Sequence, residues 1–538
     1  MSKWKGCRNR DHLINRWFGF GDFLGGANLG QELHQLTTRD RQWDNRQRKN
    51  NIPRIAFWVL LFIGLSSCYC IRHFHICSSN PHMQLGLGSQ LDWIQNYFRA
   101  YALSRTGETG YQPARVCTLQ SVAGDARCKM RFGSIIAFVA LCSFTAYYIY
   151  EPIPEDIEER WKLMLTNSFF RSLSHLADLS ELLGLKDYMG VMYFITLAEK
   201  IVPMSDEHIK VTEEQFDGVD VVLYQPKKSD GDTKLRRAVI YLHGGGWCLG
   251  SSLMSPYDLL ARKIVNELDA VVLSVEYRLA PAYHFPVPYE DVYRVVKHFL
   301  HKGVLAQYSV DPGRIAVSGD SAGGNLAAAV SQQLQKEPAQ QVQLKAQALI
   351  YPVLQALDLN TPSYQQNQDM PILPRYLMVR FWSEYFTSDR AFFRAMMANT
   401  HNSPESSSLL KFVNWSTFLP DRYHKKYNYS APTVVQGEEA FGKGGPSGSL
   451  ADPRASPLLV PDSALHSLPK AYILTCEYDV LRDDGIMYVT RLLSAGVEVT
   501  HEHYDTGFHG GLMFTVWPTD FLIGRRMTEN YIKWLKEN

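Results

Sequence analysis

Ser321 stands in Gly319-Asp320-Ser321-Ala322-Gly323, a G-x-S-x-G pattern. A serine hydroxyl is a weak nucleophile until a neighbouring base takes its proton, and that base must itself be held in place. Asp479 and His509 follow in chain order, in Cys476-Glu477-Tyr478-Asp479 and in Gly507-Phe508-His509-Gly510. These residue types together could carry out acyl transfer. Ser321 would attack a carbonyl, His509 would act as general base, and Asp479 would fix the tautomer of the imidazole. Attack places charge on the carbonyl oxygen, which backbone N–H groups in a glycine loop can meet without a Cβ in the way. His243-Gly244-Gly245-Gly246-Trp247 is such a loop. Two donors are expected from among Gly244, Gly245 and Gly246, with the N–H of Ala322 as another; loss of one such donor typically costs about 10² to 10³ in rate. The loop has neither the G-x-G-x-x-G pattern nor the lysine that a phosphate cradle requires. No metal or organic cofactor is needed for this chemistry.

The surrounding sequence supplies elements able to position these groups. An apolar stretch from Ile315 to Ser318 reads as a strand, and the Ala-rich stretch from Asn325 to Val330 as a helix. Ser321 then falls at a sharp strand-to-helix turn that leaves no room for side chains at Gly319 and Gly323 and points a helix N-terminus at developing negative charge. Ala238 to Leu242 reads as the strand leading into the glycine loop. Tyr472 to Cys476 reads as a strand that ends in acid, and the residue leaving the strand first is Asp479; Asp483 and Asp484 lie a turn later and suit a helix N-terminus. Val497 to Tyr504 reads as a strand followed by a glycine-flanked loop carrying His509, with His501 and His503 on the strand itself. Strand and helix patterns alternate from about 236 onward, which predicts a mostly parallel sheet with helices on both faces. The alternation lapses between about 355 and 455, where Pro, Ser and aromatics predict a helical cap inserted over the C-terminal edge of the sheet. Residues 151–235 carry helical signals and the first strands. Trp247, the aromatic stretch from Tyr376 to Phe393 and the 151–235 helices are expected to line an apolar acyl and lid region.

A formal net charge of +1 gives nucleic acid or an acidic partner no bulk attraction. Residues 1–129 sustain no period of 2 or 3.6 outside one apolar run, and little packed structure is expected there. Phe132 to Tyr150 contains no charged residue. As a helix it would be about 28 Å long, close to the ~30 Å hydrocarbon core of a bilayer. Arg127, Lys129 and Arg131 precede it and Glu151, Glu155, Asp156, Glu158 and Glu159 follow, so the positive-inside rule places everything after Tyr150 across the membrane. A second uncharged run, Ile55 to Ile71, would return the later region to the cytosol if it also spanned. Initiation at Met130 would remove that conflict, and the stretch before it then reads as an extension.

Of nine cysteines, only Cys248 and Cys476 lie beyond Cys142. Both are expected near the C-terminal edge of the sheet, where they could bond or remain two buried thiols; a bond would require an oxidising compartment. Asn414-Trp415-Ser416 and Asn428-Tyr429-Ser430 are glycosylation sequons in the cap, meaningful only on the lumenal side.

His243-Gly244-Gly245-Gly246-Trp247, Gly319-Asp320-Ser321-Ala322-Gly323-Gly324, Glu276-Tyr277-Arg278-Leu279-Ala280-Pro281 and the later Asp479 to Gly485 and Gly507 to Gly510 carry a resemblance. From about Met130 to the C-terminus the chain resembles the hormone-sensitive-lipase branch of the α/β-hydrolases, in the group of arylacetamide deacetylase and neutral cholesterol ester hydrolase. The resemblance implies an α/β-hydrolase fold with Ser321, Asp479 and His509 as triad. It maps the oxyanion glycines onto His243 to Gly245 and a disulfide onto Cys248 and Cys476. It further implies a single-pass type II endoplasmic-reticulum membrane enzyme with a lumenal hydrolase domain, acting on arylacetamides, esters and neutral lipids. A hydrolase fold can also bind a ligand without turning it over, or serve as a membrane-anchored scaffold; the presence of His509 argues for catalysis.

Overall fold

A computed structural model describes residues 132–229, 231–337, 342–435, 447–516 and 519–538, with the side chains of 132–140 and 447 outside the description. The readings made on 1–129, on Ile55 to Ile71 and on Met130 lie outside the described residues.

The centre is an eight-stranded sheet in the order β1-β2-β4-β3-β5-β6-β7-β8. Its strands are β1 (Ile209–Phe216), β2 (Val219–Pro226), β3 (Arg236–Leu242), β4 (Val271–Glu276), β5 (Val310–Asp320), β6 (Ala346–Ile350), β7 (Lys470–Tyr478) and β8 (Val499–Phe508). β2 runs antiparallel to β1 and β4, and the pairings from β4 through β8 are parallel. Parallel strands need crossovers, which place helices on the faces of the sheet and bury both of them. The sequence shows this burial directly. Ala238, Ile240 and Leu242 of β3 enter one core, while Val239 and Tyr241 between them enter the other. β4 divides in the same way, with Leu273 in the first core and Val272 in the second. Strands wet on one face would alternate apolar with polar; these read as unbroken apolar runs because neither face is wet.

Eight helices matter to the argument: α1 (Phe132–Ile149), α2 (Arg160–Leu182), α3 (Ser255–Leu268), α4 (Val287–Phe299), α5 (Ala322–Gln335), α6 (Arg375–Phe386), α7 (Arg482–Ser494) and α8 (Leu522–Glu537). α4, α5 and α7 fill the first core, while α3 and α8 fill the second. α5 lies under the centre of the sheet. Its run Ala327, Ala328 and Ala329 is buried, and these small side chains let it approach the strands closely.

The predicted membrane segment forms an 18-residue helix, α1. Among the described residues no helix is long and apolar enough to cross a membrane. The stretch of about 355–455, expected as a cap, lies between β6 and β7 and carries α6 and several shorter helices. The expected strands are right in place but short: β5 begins at Val310 and β8 runs on to Phe508, so His509 leaves a strand end directly rather than sitting out in a loop.

The predicted disulfide is absent. Cys248 and Cys476 are both free, buried thiols. Cys248 belongs to the first core and Cys476 to the second, on opposite faces of the sheet. Cys476 lies on β7, while Cys248 lies in the loop beyond the end of β3, a strand that β5 and β6 separate from β7.

Candidate active site

β3 and β5 pair in parallel with Leu242 opposite Gly319, so the glycine loop after β3 and the serine turn after β5 emerge side by side. The chain reverses its direction of travel across the sheet here: β4 lies on one side of β3 and β5 on the other. Ligands of open α/β sheets bind outside the carboxyl ends of strands at such a reversal.

Ser321 occupies a strained turn at φ 54° and ψ −117°. Both flanking glycines are required by contact. A Cβ at Gly323 would lie 2.0 Å from the Leu242 carbonyl oxygen, and one at Gly319 would lie 2.4 Å from the Gly323 carbonyl carbon. The serine turn is thus wedged against the last peptide of β3. From the end of β8, the Nδ1–H of His509 donates to Asp479 Oδ2 at 2.8 Å, and the Ser321 hydroxyl donates to His509 Nε2 at 3.0 Å. The second oxygen of Asp479 accepts from the Leu481 N–H at 2.8 Å, and the Asn367 amide donates to the Asp479 carbonyl at 2.9 Å, so the strand end carrying the acid is fixed twice. All three side chains are buried. Hydroxyl, imidazole and carboxylate, distant in sequence, meet in a continuous hydrogen-bonded relay.

The rival acids are engaged elsewhere. Asp483 accepts from the Ser363 N–H at 2.7 Å and from Arg482 Nε at 3.0 Å. Asp484 accepts from the Leu354 N–H at 2.9 Å, and burial pushes its carboxyl up to about 7. His501 and His503 both lie within hydrogen-bond distance of the Thr475 hydroxyl, and His503 also meets Glu477 at 3.1 Å. None of these groups reaches Ser321.

The glycine loop differs from expectation in one respect. The Gly244 N–H donates to the Tyr257 hydroxyl at 2.9 Å and to Asp320 Oδ1 at 3.0 Å, so it is not a free donor for an oxyanion. His243 supplies none either: it is buried, its ring stacks on Tyr277 at 4.2 Å, and its Nδ1 lies 2.8 Å from the Gly244 carbonyl oxygen. The N–H groups of Gly245, Gly246 and Ala322 have no acceptor among the described residues. Gly245 and Gly246 take φ values of 110° and 61°. A Cβ on Gly246 would lie 2.2 Å from the Phe381 ring of α6, so the cap rests directly on the loop.

Asp320, Tyr241 and Tyr257 were not legible as site residues. Asp320 accepts from the hydroxyls of Tyr241 at 3.1 Å and Tyr257 at 3.2 Å as well as from Gly244. Burial holds both phenols protonated well above their ordinary range, so they remain donors. Burial also pushes the Asp320 carboxyl up to about 6, against the opposing pull of its three donors and of His509. The only signal was the polar residue ahead of Ser321, whose partners lie far away in sequence. The arrangement leads to an expected pH profile. Lowering pH through about 6 neutralises the acceptor that holds Gly244. The acid limb of kcat/KM should therefore be steeper in the wild type than in Asp320→Asn. Equal slopes would remove Asp320 from the acid limb.

Among the described residues no cluster of three or more His, Cys, Asp or Glu could hold a metal ion.

This geometry defines a hydrolase of the α/β class, and the chain belongs to the alpha/beta hydrolase fold family, which matches residues 239–417 and 416–513. It is 50% identical over 393 residues to arylacetamide deacetylase of Oryctolagus cuniculus, covering 73% of this chain and 96% of that one. It is 47% identical over 411 residues to neutral cholesterol ester hydrolase 1 of Bos taurus, covering 75% and 99%. A hyperthermophilic esterase from Pyrobaculum calidifontis is 26% identical, covering 65% of this chain and 89% of its own, with a TM-score of 0.47.

Proposed function

We propose that the chain is a serine hydrolase of carboxylic esters and arylacetamides that works through an acyl-enzyme on Ser321. The observation carrying this reading is the relay from Ser321 through His509 to Asp479 at 3.0 and 2.8 Å. His509 Nε2 takes the Ser321 proton as Oγ attacks the carbonyl, while the buried Asp479 carboxylate holds Nδ1–H and stabilises the imidazolium. The N–H groups of Gly245, Gly246 and Ala322 receive the oxyanion. The imidazolium returns its proton to the leaving alcohol or amine. Water then attacks the acyl-enzyme with the same base, and the acid leaves. Trp247 stacks on Tyr385 at 4.2 Å, with Trp382 at 4.5 Å from Trp247, so a fully buried apolar cluster lies directly behind the glycine loop. Labelling of the full chain by a fluorophosphonate probe at Ser321, together with release of acetate from an arylacetamide, tests the reading. A chain that takes no label at Ser321 would refute it.

A second reading within the same mechanism is hydrolysis of neutral lipid esters, supported by the identity to the cholesterol ester hydrolase. Competing acyl substrates of increasing length against the arylacetamide separates the two.

α1 is read as a membrane signal-anchor in the endoplasmic reticulum, with its basic flank in the cytosol and the hydrolase in the lumen. The charge difference across Phe132 to Tyr150 and the two sequons support this. Asn428 is exposed, and Asn414 uses only its Oδ1 locally, accepting from the Ser416 hydroxyl at 2.7 Å, which leaves its amide nitrogen open to a glycan. Endoglycosidase treatment should lower the apparent mass of the wild type and leave the Asn414→Gln/Asn428→Gln chain unchanged. An unmoved wild-type band would contradict the lumenal placement.

A further inference from the structure

The exposed large apolar side chains of the hydrolase unit are concentrated at its beginning. On α2 and its C-cap, Trp161 is 62% exposed, Leu176 55%, Leu179 50% and Leu183 61%, with Leu165 and Leu182 also exposed. At 100° per residue these six fall within a sector of about 120°. No Asp, Glu, Lys or Arg interrupts that sector. The opposite side of α2, carrying Leu163, Leu173 and Ala177, is buried against the hydrolase. α2 is therefore apolar on both sides, and only one side is covered. Soluble monomers rarely leave so many large apolar side chains on one uncharged face to water.

The end of α1 packs on this same uncovered side. The Tyr148 hydroxyl lies 3.2 Å from His175 Nδ1 and accepts from the Ser172 hydroxyl at 3.3 Å. Ser172 and His175 fall inside the apolar sector. A helix leaving a bilayer and docking there brings the stripe to the depth of the lipid headgroups. We propose that a phospholipid bilayer covers the α2 stripe, an inference that rests on reading α1 as the anchor. Continuity with the uncharged α1 argues for lipid over a second copy of the chain. The inner side of α2 adds a consequence: Phe170 meets Phe514 at 6.3 Å, and a Cβ on Gly510, next to His509, would lie 3.5 Å from the Phe514 ring. The lipid-facing stripe and the wall beside His509 are then one helix diameter apart, about 10 Å. Acyl chains dissolved in the membrane would reach Ser321 past α2 without first crossing water.

The test uses the full chain in its native membrane with a phosphatidylcholine carrying a photoactivatable diazirine on one acyl chain. Adducts are expected on peptides spanning Trp161 to Leu183 and not on α4. Absence of adducts there overturns the inference, and so do protein–protein cross-links from the stripe in their place. Alkaline carbonate extraction reports on the anchor separately. Extraction of the chain would end the anchor reading, while continued labelling of the stripe would leave α2 as an interfacial helix. A chain carrying Leu176→Ser, Leu179→Ser and Leu183→Ser should hydrolyse a membrane-dissolved long-chain ester about tenfold more slowly. Its turnover of water-soluble p-nitrophenyl acetate should match the wild type. Parallel loss of both activities would mark a folding defect, in which case the lipid labelling of the wild-type chain decides.

Discussion

Ser321→Ala is expected to lower kcat for p-nitrophenyl butyrate about 10⁶-fold, to the residual rate that binding and oxyanion donors give alone. Ser321 Oγ is the group whose proton His509 Nε2 is placed to accept, at 3.0 Å, in a turn that Gly319 and Gly323 fix by backbone contact. Alanine keeps that turn, because its Cβ occupies the place of the serine Cβ, so KM and stability should change little. A water held where Oγ stood would sustain slow turnover at most. Activity within about tenfold of wild type would show that the acyl group is carried elsewhere, since that factor is only about 1.4 kcal/mol of barrier.

Asp479→Asn should have the next largest effect, a fall of about 10⁴ in kcat. An asparagine amide of nearly the same shape can present its NH₂ to Nδ1, which favours the imidazole tautomer with its proton on Nε2. That tautomer cannot accept from Ser321. The variant should fold, because the Leu481 N–H can still bond the amide oxygen that replaces Asp479 Oδ1. Raising the pH should restore part of the rate. Asp483→Asn is the contrasting case: its carboxylate serves Ser363 and Arg482, so any loss there should appear in thermal stability rather than in pH dependence. If Asp483→Asn, and not Asp479→Asn, lost activity while remaining folded, the assignment of the acid would be wrong.

The relay of Ser321, His509 and Asp479 was legible because each member announces itself locally. Ser321 lies between two glycines at a strand-to-helix change, Asp479 is the acid nearest a strand end, and His509 follows the next strand. Such signals depend only on neighbours in sequence. What failed depended on which face of the sheet a residue meets. Cys248 lies beyond the end of β3 and Cys476 near the end of β7, and their pairing could be imagined until the two cores separated them. Gly244 reads as a free donor until Asp320, on the adjacent strand, takes its N–H. The Tyr241, Tyr257 and Asp320 cluster left almost no trace, since buried polar partners follow no period. The end of β8 reads as Tyr504 because Asp505, Thr506 and Gly507 look like loop, although the strand runs on to Phe508 and pairs there with Tyr478 of β7. Polar residues paired across a ladder look like loop when the ladder cannot be seen.

The contact between Gly246 and the Phe381 ring links two properties usually treated apart. An acyl group that pushed α6 outward would unload the aromatic face that rests on the glycine peptide. Oversized substrates would then bind acceptably yet turn over poorly, so selectivity for chain size would be written in the rate of the chemical step rather than in affinity. Reshaping the cap to admit larger acids without restoring that pressure should widen binding and leave the enzyme slow.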